Sequence, residues 1–294
     1  MKNTIAAGFL MLVFLFPACK EVDQKTITSD EAVVLVSEAA TAYSIFASTQ
    51  EEGTKAGLNL QLQGQTKSAE DTSEDYPVIT VSPLDLTSWP KTITVDYGPE
   101  NVTGLDMHQR RGKMIISADN FPSVSGAEWE ITFDEFYHDN YKVEGVQTIK
   151  YSGLNASEHP VYKCTVSEGV ITAPTEEVFH FEQQTQREWI SGYDTHAALT
   201  GDEADFCDDM YKITGTHSGK SSDGYTYTMT TTSPLIIGVC CRWIQEGILN
   251  ISLKDYDLSC EIDYRPASDT SEDACNNVAN ITIFGVSSEI TLMP

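Results

Sequence analysis

From Pro77 onward, apolar and polar positions alternate with a period of two. Ile93, Val95 and Tyr97 interleave with Thr92, Thr94 and Asp96, and Trp129, Ile131 and Phe133 with Glu130 and Thr132. Tyr162, Cys164 and Val166 follow. Tyr225, Tyr227 and Met229 then alternate with threonines, Leu249, Ile251 and Leu253 with Asn250 and Ser252, and Cys260, Ile262 and Tyr264 with Glu261 and Asp263. Alternation of this kind builds strands with one buried and one wet face, the mark of antiparallel sheet. Turn signals separate the runs: Ser152-Gly153, Ser191-Gly192, Ser218-Gly219 and Ser222-Asp223-Gly224. No long helical pattern interrupts. The expectation is an all-β domain over 77–294, either an antiparallel sandwich or a long curved meander. Ile93-Thr94-Val95-Asp96-Tyr97-Gly98-Pro99 is echoed by Cys260-Glu261-Ile262-Asp263-Tyr264-Arg265-Pro266, which leaves open two related halves or a chance repeat of one strand end.

Upstream the period changes. Thr28-Ser29-Asp30-Glu31 is a capping box, and Ala32, Val36, Ala39, Tyr43 and Phe46 recur at three- and four-residue steps. That predicts a helix over about 29–48. Residues 49–76, rich in Gly, Gln, Ser, Thr and acids, are expected to be a polar linker.

At the start of the chain, Lys2 precedes an uncharged apolar run from Ile5 to Phe16, then Pro17, Ala18 and Cys19. A bilayer span needs about 20 apolar residues, so this run fits the core of a signal peptide over 1–18. Phe16-Pro17-Ala18-Cys19 resembles a bacterial lipobox. In such a motif the cysteine is diacylated, the peptide is cut before it, and the new amino group is acylated. Phe16 and Pro17 stand where Leu and a small residue are usual. The expectation is therefore lipidation at Cys19 and attachment to the membrane through that lipid. Lys20 after the cysteine argues against retention at an inner membrane, so the expected location is the outer membrane, at its periplasmic face or the cell surface.

Composition narrows the partners. The 294 residues carry 18 Lys+Arg against 44 Asp+Glu, a formal charge of −26. Nucleic acid is an unsuitable partner, because neutralising phosphate needs a basic surface. Unaided docking to an anionic membrane is disfavoured for the same reason. At 40% hydrophobic and 21% charged, the chain is globular in composition.

Several residues together resemble a family of exported lipoproteins from gut and marine Bacteroidetes. They are Asp96-Tyr97-Gly98, Arg111-Gly112-Lys113, Val143-Glu144-Gly145, Arg187-Glu188-Trp189-Ile190, Ile213-Thr214-Gly215, Pro234-Leu235, Cys241, Gly247, Ile262-Asp263-Tyr264, Cys275 and Gly285. The resemblance covers roughly Thr92 to Leu292. It departs at Arg265, where Gly is usual. It implies an exported β-rich protein with no established activity, so no catalytic residue is transferred. Six cysteines remain besides Cys19, and an oxidising compartment would favour disulfides. Their fifteen pairings are not resolved by spacing, but the resemblance implies Cys241 with Cys275. Adjacent Cys240 and Cys241 point to opposite faces if extended, and so need different partners or leave one reduced.

Candidate chemistry is sparse. Asp202, Glu203, Asp205, Asp208 and Asp209 form the densest acidic cluster, and Asp202, Asp205, Asp208 and Asp209 are the candidate calcium ligands. Asp269, Glu272 and Asp273 are a lesser case. No Cys-x-x-Cys favours zinc, and the six histidines show no metal-helix spacing; His180, between Phe179 and Phe181, is expected to pack. Thr214 to Ser221 nearly spells a phosphate loop, but a strand follows where a helix is required. Glu128, Glu130, Asp134 and Glu135 offer carboxylate pairs for glycoside hydrolysis. Trp129, Trp189 and Trp243 offer a sugar-stacking platform, with core packing the alternative. The expected function is thus a non-catalytic binding or envelope-associated module with a glycan or protein partner. A glycan- or peptide-directed hydrolase and a structural envelope component are the alternatives.

Overall fold

The computed structural model describes residues 27–63, 77–85, 87–104, 106–195, 207–253, 256, 258–266, 269 and 275–291. The expected signal peptide, Cys19, Asp202, Glu203, Asp205, Glu272 and Asp273 lie outside them. The described chain forms one helix, α1 (Ser29–Gln63), and fourteen strands. These are β1 (Val78–Ser82), β2 (Lys91–Asp96), β3 (Val102–Thr103), β4 (Gln109–Ala118), β5 (Glu128–His138), β6 (Tyr141–Leu154) and β7 (Pro160–Thr172). After them come β8 (Val178–Ser191), β9 (Met210–Lys220), β10 (Thr226–Gly238), β11 (Ile244–Leu253), β12 (Ser259–Asp263), β13 (Val278–Ile283) and β14 (Val286–Thr291).

All strands join a single antiparallel sheet in which each pairs with its sequence neighbour, apart from the short β3, which pairs β4 beside the β2–β4 ladder. The sheet is an open meander with β1 and β14 as free edges, which settles the choice against a sandwich. It curls around α1. Bulges at Arg111/Lys113 in β4 and Glu144/Val146 in β6 bend the strands. At Gly112, φ is +82° and an added Cβ would run into the Glu135 carbonyl, so only glycine lets β4 turn there.

The alternating apolar residues line the concave face. Ile93, Met114, Ile116, Ile131, Cys164, Phe181, Met229, Leu249, Ile251 and Cys260 are all fully buried. The capping box forms as expected: the Glu31 amide donates to Thr28 Oγ1, and the Thr28 amide donates to Glu31 Oε2. Beyond it Ala32, Leu35, Val36, Ala39, Ala42, Tyr43 and Phe46 are buried against the sheet. Phe46 stacks on Phe181 at 5.4 Å. Asp30–Gly57 is long and apolar enough to cross a bilayer by length and composition, yet here it fills the inside of the sheet.

The expected linker over 49–76 is corrected over 49–63, and its remainder, 64–76, lies outside the described residues. The helix runs on to Gln63, because the inward residues are small or polar and find partners. Thr49 Oγ1 donates to Gln147 Oε1 at 2.9 Å, and Gln50 Nε2 donates to Cys164 Sγ at 2.6 Å. Gly53 and Gly57 let the helix backbone press onto Ile131 and Trp129.

The internal echo has a structural counterpart. Asp96 Oδ1 accepts from the Gly98 amide and Asp263 Oδ1 from the Arg265 amide. The Tyr97 amide donates to Gly112 O, and the Tyr264 amide to Gly247 O. The turns differ at the next step: Gly98 takes φ +75°, and Arg265 is not among the residues with positive φ. Gly112 lies on β4, after β2 in the chain, and Gly247 on β11, before β12.

Candidate functional site

Where the curled sheet meets itself across α1, the β3–β4 loop faces the β10–β11 turn. Between them lies a cleft of about 50 Å³. Its floor is Ser44, Ala47, Ser48 and Glu51 of α1, and its walls include Asp106, His108, Arg187, Cys241, Arg242 and Trp243. Arg242 joins the two sides, with Nη1 donating to Met107 O at 3.4 Å and Nη2 lying 3.5 Å from Asp139 Oδ2.

Beneath the cleft Arg110 is 1% exposed, and its guanidinium donates to both carboxylate oxygens of Asp106 and to Ser48 Oγ. Burial alone would raise the Asp106 carboxyl. Its hydrogen bonds and charge contact with Arg110 more than offset this and hold it well below the usual carboxylate range. Glu51 forms ion pairs with Lys55 at 3.1 Å and Arg187 at 3.4 Å.

Next to this pair three further groups converge. The β4–β5 ladder pairs Arg110 with His138. The hairpin after His138 turns through Asp139 (φ +48°) and Asn140 (φ +68°), the left-handed pair that a two-residue hairpin requires. Asp139 Oδ1 accepts from the Gln109 amide at 2.8 Å, while Oδ2 meets His108 Nδ1 at 2.5 Å and His138 Nδ1 at 3.5 Å. The two imidazoles lie with centroids 4.5 Å apart. His138 is fully buried, and neither ring nitrogen has a hydrogen-bond partner. Burial, then the positive charge of Arg110, holds its pKa well below the ordinary value, so it is neutral. Burial raises Asp139, but the hydrogen bonds from His108 and the Gln109 amide bring it down to about 2, so it is ionised. His108, His138 and Asp139 each offer a ligating atom, all within 4.8 Å of one another.

This cluster was not legible in the sequence, where His108 stands 31 residues from Asp139. The one available signal was His138-Asp139 next to Asn140 at a hairpin turn. His180 corrects an expectation: it is exposed on the outer face, and Phe179 and Phe181 are the core residues. The second fully buried histidine is His217, packed edge-on to Tyr43 at 4.9 Å. Trp129 and Trp189 are core, 3% and 1% exposed, so they form no sugar platform. Glu128 and Glu130 are exposed along β5, and Glu128 pairs with Lys150. Thr214 to Lys220 runs in β9, as a strand rather than a phosphate loop.

Of the calcium candidates, Asp208 accepts from Thr195 Oγ1. Asp209 is 1% exposed. Burial, then the charge of Asp208, pushes its carboxyl up to about 8, with a hydrogen bond from Trp189 opposing. A protonated carboxyl is no calcium ligand, so Asp209 would enter such a site only on losing that proton. Asp269 accepts from Asn276 Nδ2. Two disulfides clamp the β10–β11 turn, Cys207–Cys240 and Cys241–Cys275. The second is the pair the resemblance implied, and the adjacent cysteines do take different partners. Cys164 and Cys260 are free and buried.

Compared with protein-family models, curated proteins and solved structures, the chain matches none.

Proposed function

We propose that the protein is an exported lipoprotein, anchored by acyl chains on Cys19, whose β body binds a ligand or partner at the outer membrane without catalysing a reaction. The observation that carries this reading is the pair of disulfides, which belong to an oxidising compartment. The apolar run from Ile5 to Phe16 ahead of Ala18-Cys19 agrees with it. Binding rather than hydrolysis is favoured by the cleft. About 50 Å³ accommodates water or an ion, not a sugar ring. Asp106, on its wall, is held below the usual carboxylate range by Arg110, whereas a general acid needs a raised pKa. The bacterial family named above is the natural home of such a chain.

Anchoring is tested by feeding cells labelled palmitate. The label should enter the purified protein, and Cys19→Ser should lose both the label and the membrane fractionation. An unlabelled wild type, or a Cys19→Ser variant that fractionates unchanged, overturns the reading. Protease shaving of intact cells then assigns the membrane face.

A further inference from the structure

We propose that His108, His138 and Asp139 form a binding site for a divalent transition metal with the ligand preference of zinc. Two imidazole nitrogens and one carboxylate oxygen are the donor set that zinc takes with three protein ligands and a fourth open position, and one that calcium and magnesium avoid.

The geometry supports it at three points. Tetrahedral zinc with bonds of about 2.0–2.1 Å sets its ligand atoms about 3.3–3.4 Å apart. The 3.5 Å between His138 Nδ1 and Asp139 Oδ2 matches that edge as it stands. The 2.5 Å between His108 Nδ1 and Asp139 Oδ2 is a proton-bridged contact; the metal would replace the proton, and the pair would open by about 1 Å. His108 belongs to the β3–β4 loop rather than to a ladder, so it is the ligand that can move.

The second point is His138. A buried polar group without a partner costs about 1–3 kcal/mol, and both nitrogens of this ring are in that state. Packing against His108 satisfies neither; a coordinate bond satisfies one.

The third is charge and orientation. Arg110 is committed to Asp106 and Ser48, so its positive charge is balanced locally. Arg242 touches Asp139 only at 3.5 Å, and can yield to a dication. The Gln109 amide fixes Asp139 Oδ1 at 2.8 Å, which orients Oδ2 toward the rings as an outer-shell hydrogen bond does in metal sites. Access is from the cleft that His108 lines.

The test uses the full chain with its disulfides intact, stripped of metal by a chelator and titrated calorimetrically with Zn²⁺. The expected result is one zinc per chain, with affinity falling about tenfold or more in Asp139→Asn and in His108→Gln, since outer-shell changes alone cost that much. Both substitutions lie at a turn or loop, so they spare the core if His138→Gln proves unstable. Co²⁺ should give visible bands of a tetrahedral nitrogen–oxygen site that Zn²⁺ displaces and Ca²⁺ does not. Three outcomes overturn the proposal: no saturable binding by wild type; variants that bind like wild type; or intense near-ultraviolet thiolate-to-cobalt absorption, which would place the metal on Cys164 or Cys260.

Discussion

Gly57 is the sharpest place to probe how α1 fits its sheet. Replacing a mid-helix glycine by alanine normally stabilises a helix by about 1 kcal/mol. Here the added methyl would meet three carbons of the Trp129 indole, none farther than 2.7 Å. Trp129 is 3% exposed and its Nε1 donates to Asn120 O at 3.1 Å, so the ring has little freedom to retreat. Overpacking a core costs about 1–3 kcal/mol, and three overlaps on one rigid ring belong at the upper end. Against the propensity gain, Gly57→Ala should lose about 2 kcal/mol. In a chain of this size that is a fall of about 4–8 °C in Tm. Gly53→Ala is the internal control, one turn earlier. Its methyl would meet chiefly the end of Ile131, at 2.5 Å from Cδ1, a flexible atom that can rotate away. It should change stability by about 1 kcal/mol or less. Urea denaturation with a constant m-value separates the two. If Gly57→Ala matches or exceeds wild type, the close approach of helix and sheet at Trp129 is wrong.

Two further outcomes follow from buried groups and cross-links. Burial depresses His217 to about 3, while the unfolded side chain titrates near 6.5, so the unfolded state binds the extra proton between those values. Stability should therefore fall as pH drops through that window, by up to about 4–5 kcal/mol at its acid end, and His217→Phe should flatten the slope of stability against pH. Asp209, raised to about 8, acts in the opposite sense and costs stability as pH rises toward 8, so the His217 effect is best read as the difference between variant and wild type. Replacing Cys241 and Cys275 together by serine frees a 34-residue separation and should cost about 4 kcal/mol. Peptide mapping without reduction should show Cys275 joined to Cys241; a fully alkylated native protein refutes the bond.

How far the chain could be read in advance depended on which signal each element carried. The strands announced themselves because one face is core and the other water. The first half of α1 did the same through Ala32, Val36, Ala39, Tyr43 and Phe46. Its second half did not, since Thr49, Gln50, Gly53, Thr54 and Gly57 turn inward, and buried polar or small residues erase the apolar stripe. The site was hidden for another reason. His108, His138 and Asp139 meet only through the β4–β5 register, and Arg242 reaches them from 103 residues beyond Asp139. No local period encodes such a meeting.

The helix that the sheet encloses also comes first in the chain. Glu31 accepts from Tyr225 Oη, and Glu38 from the Ser222 amide, across sequence separations of 194 and 184 residues. A polypeptide delivered from its amino end therefore shows this apolar rod to solvent well before its wrapping exists. Strands emerging earlier can cover part of it, since Thr49 bonds to Gln147 and Phe46 stacks on Phe181, but the contacts of Glu31 and Glu38 wait for the turn between β9 and β10.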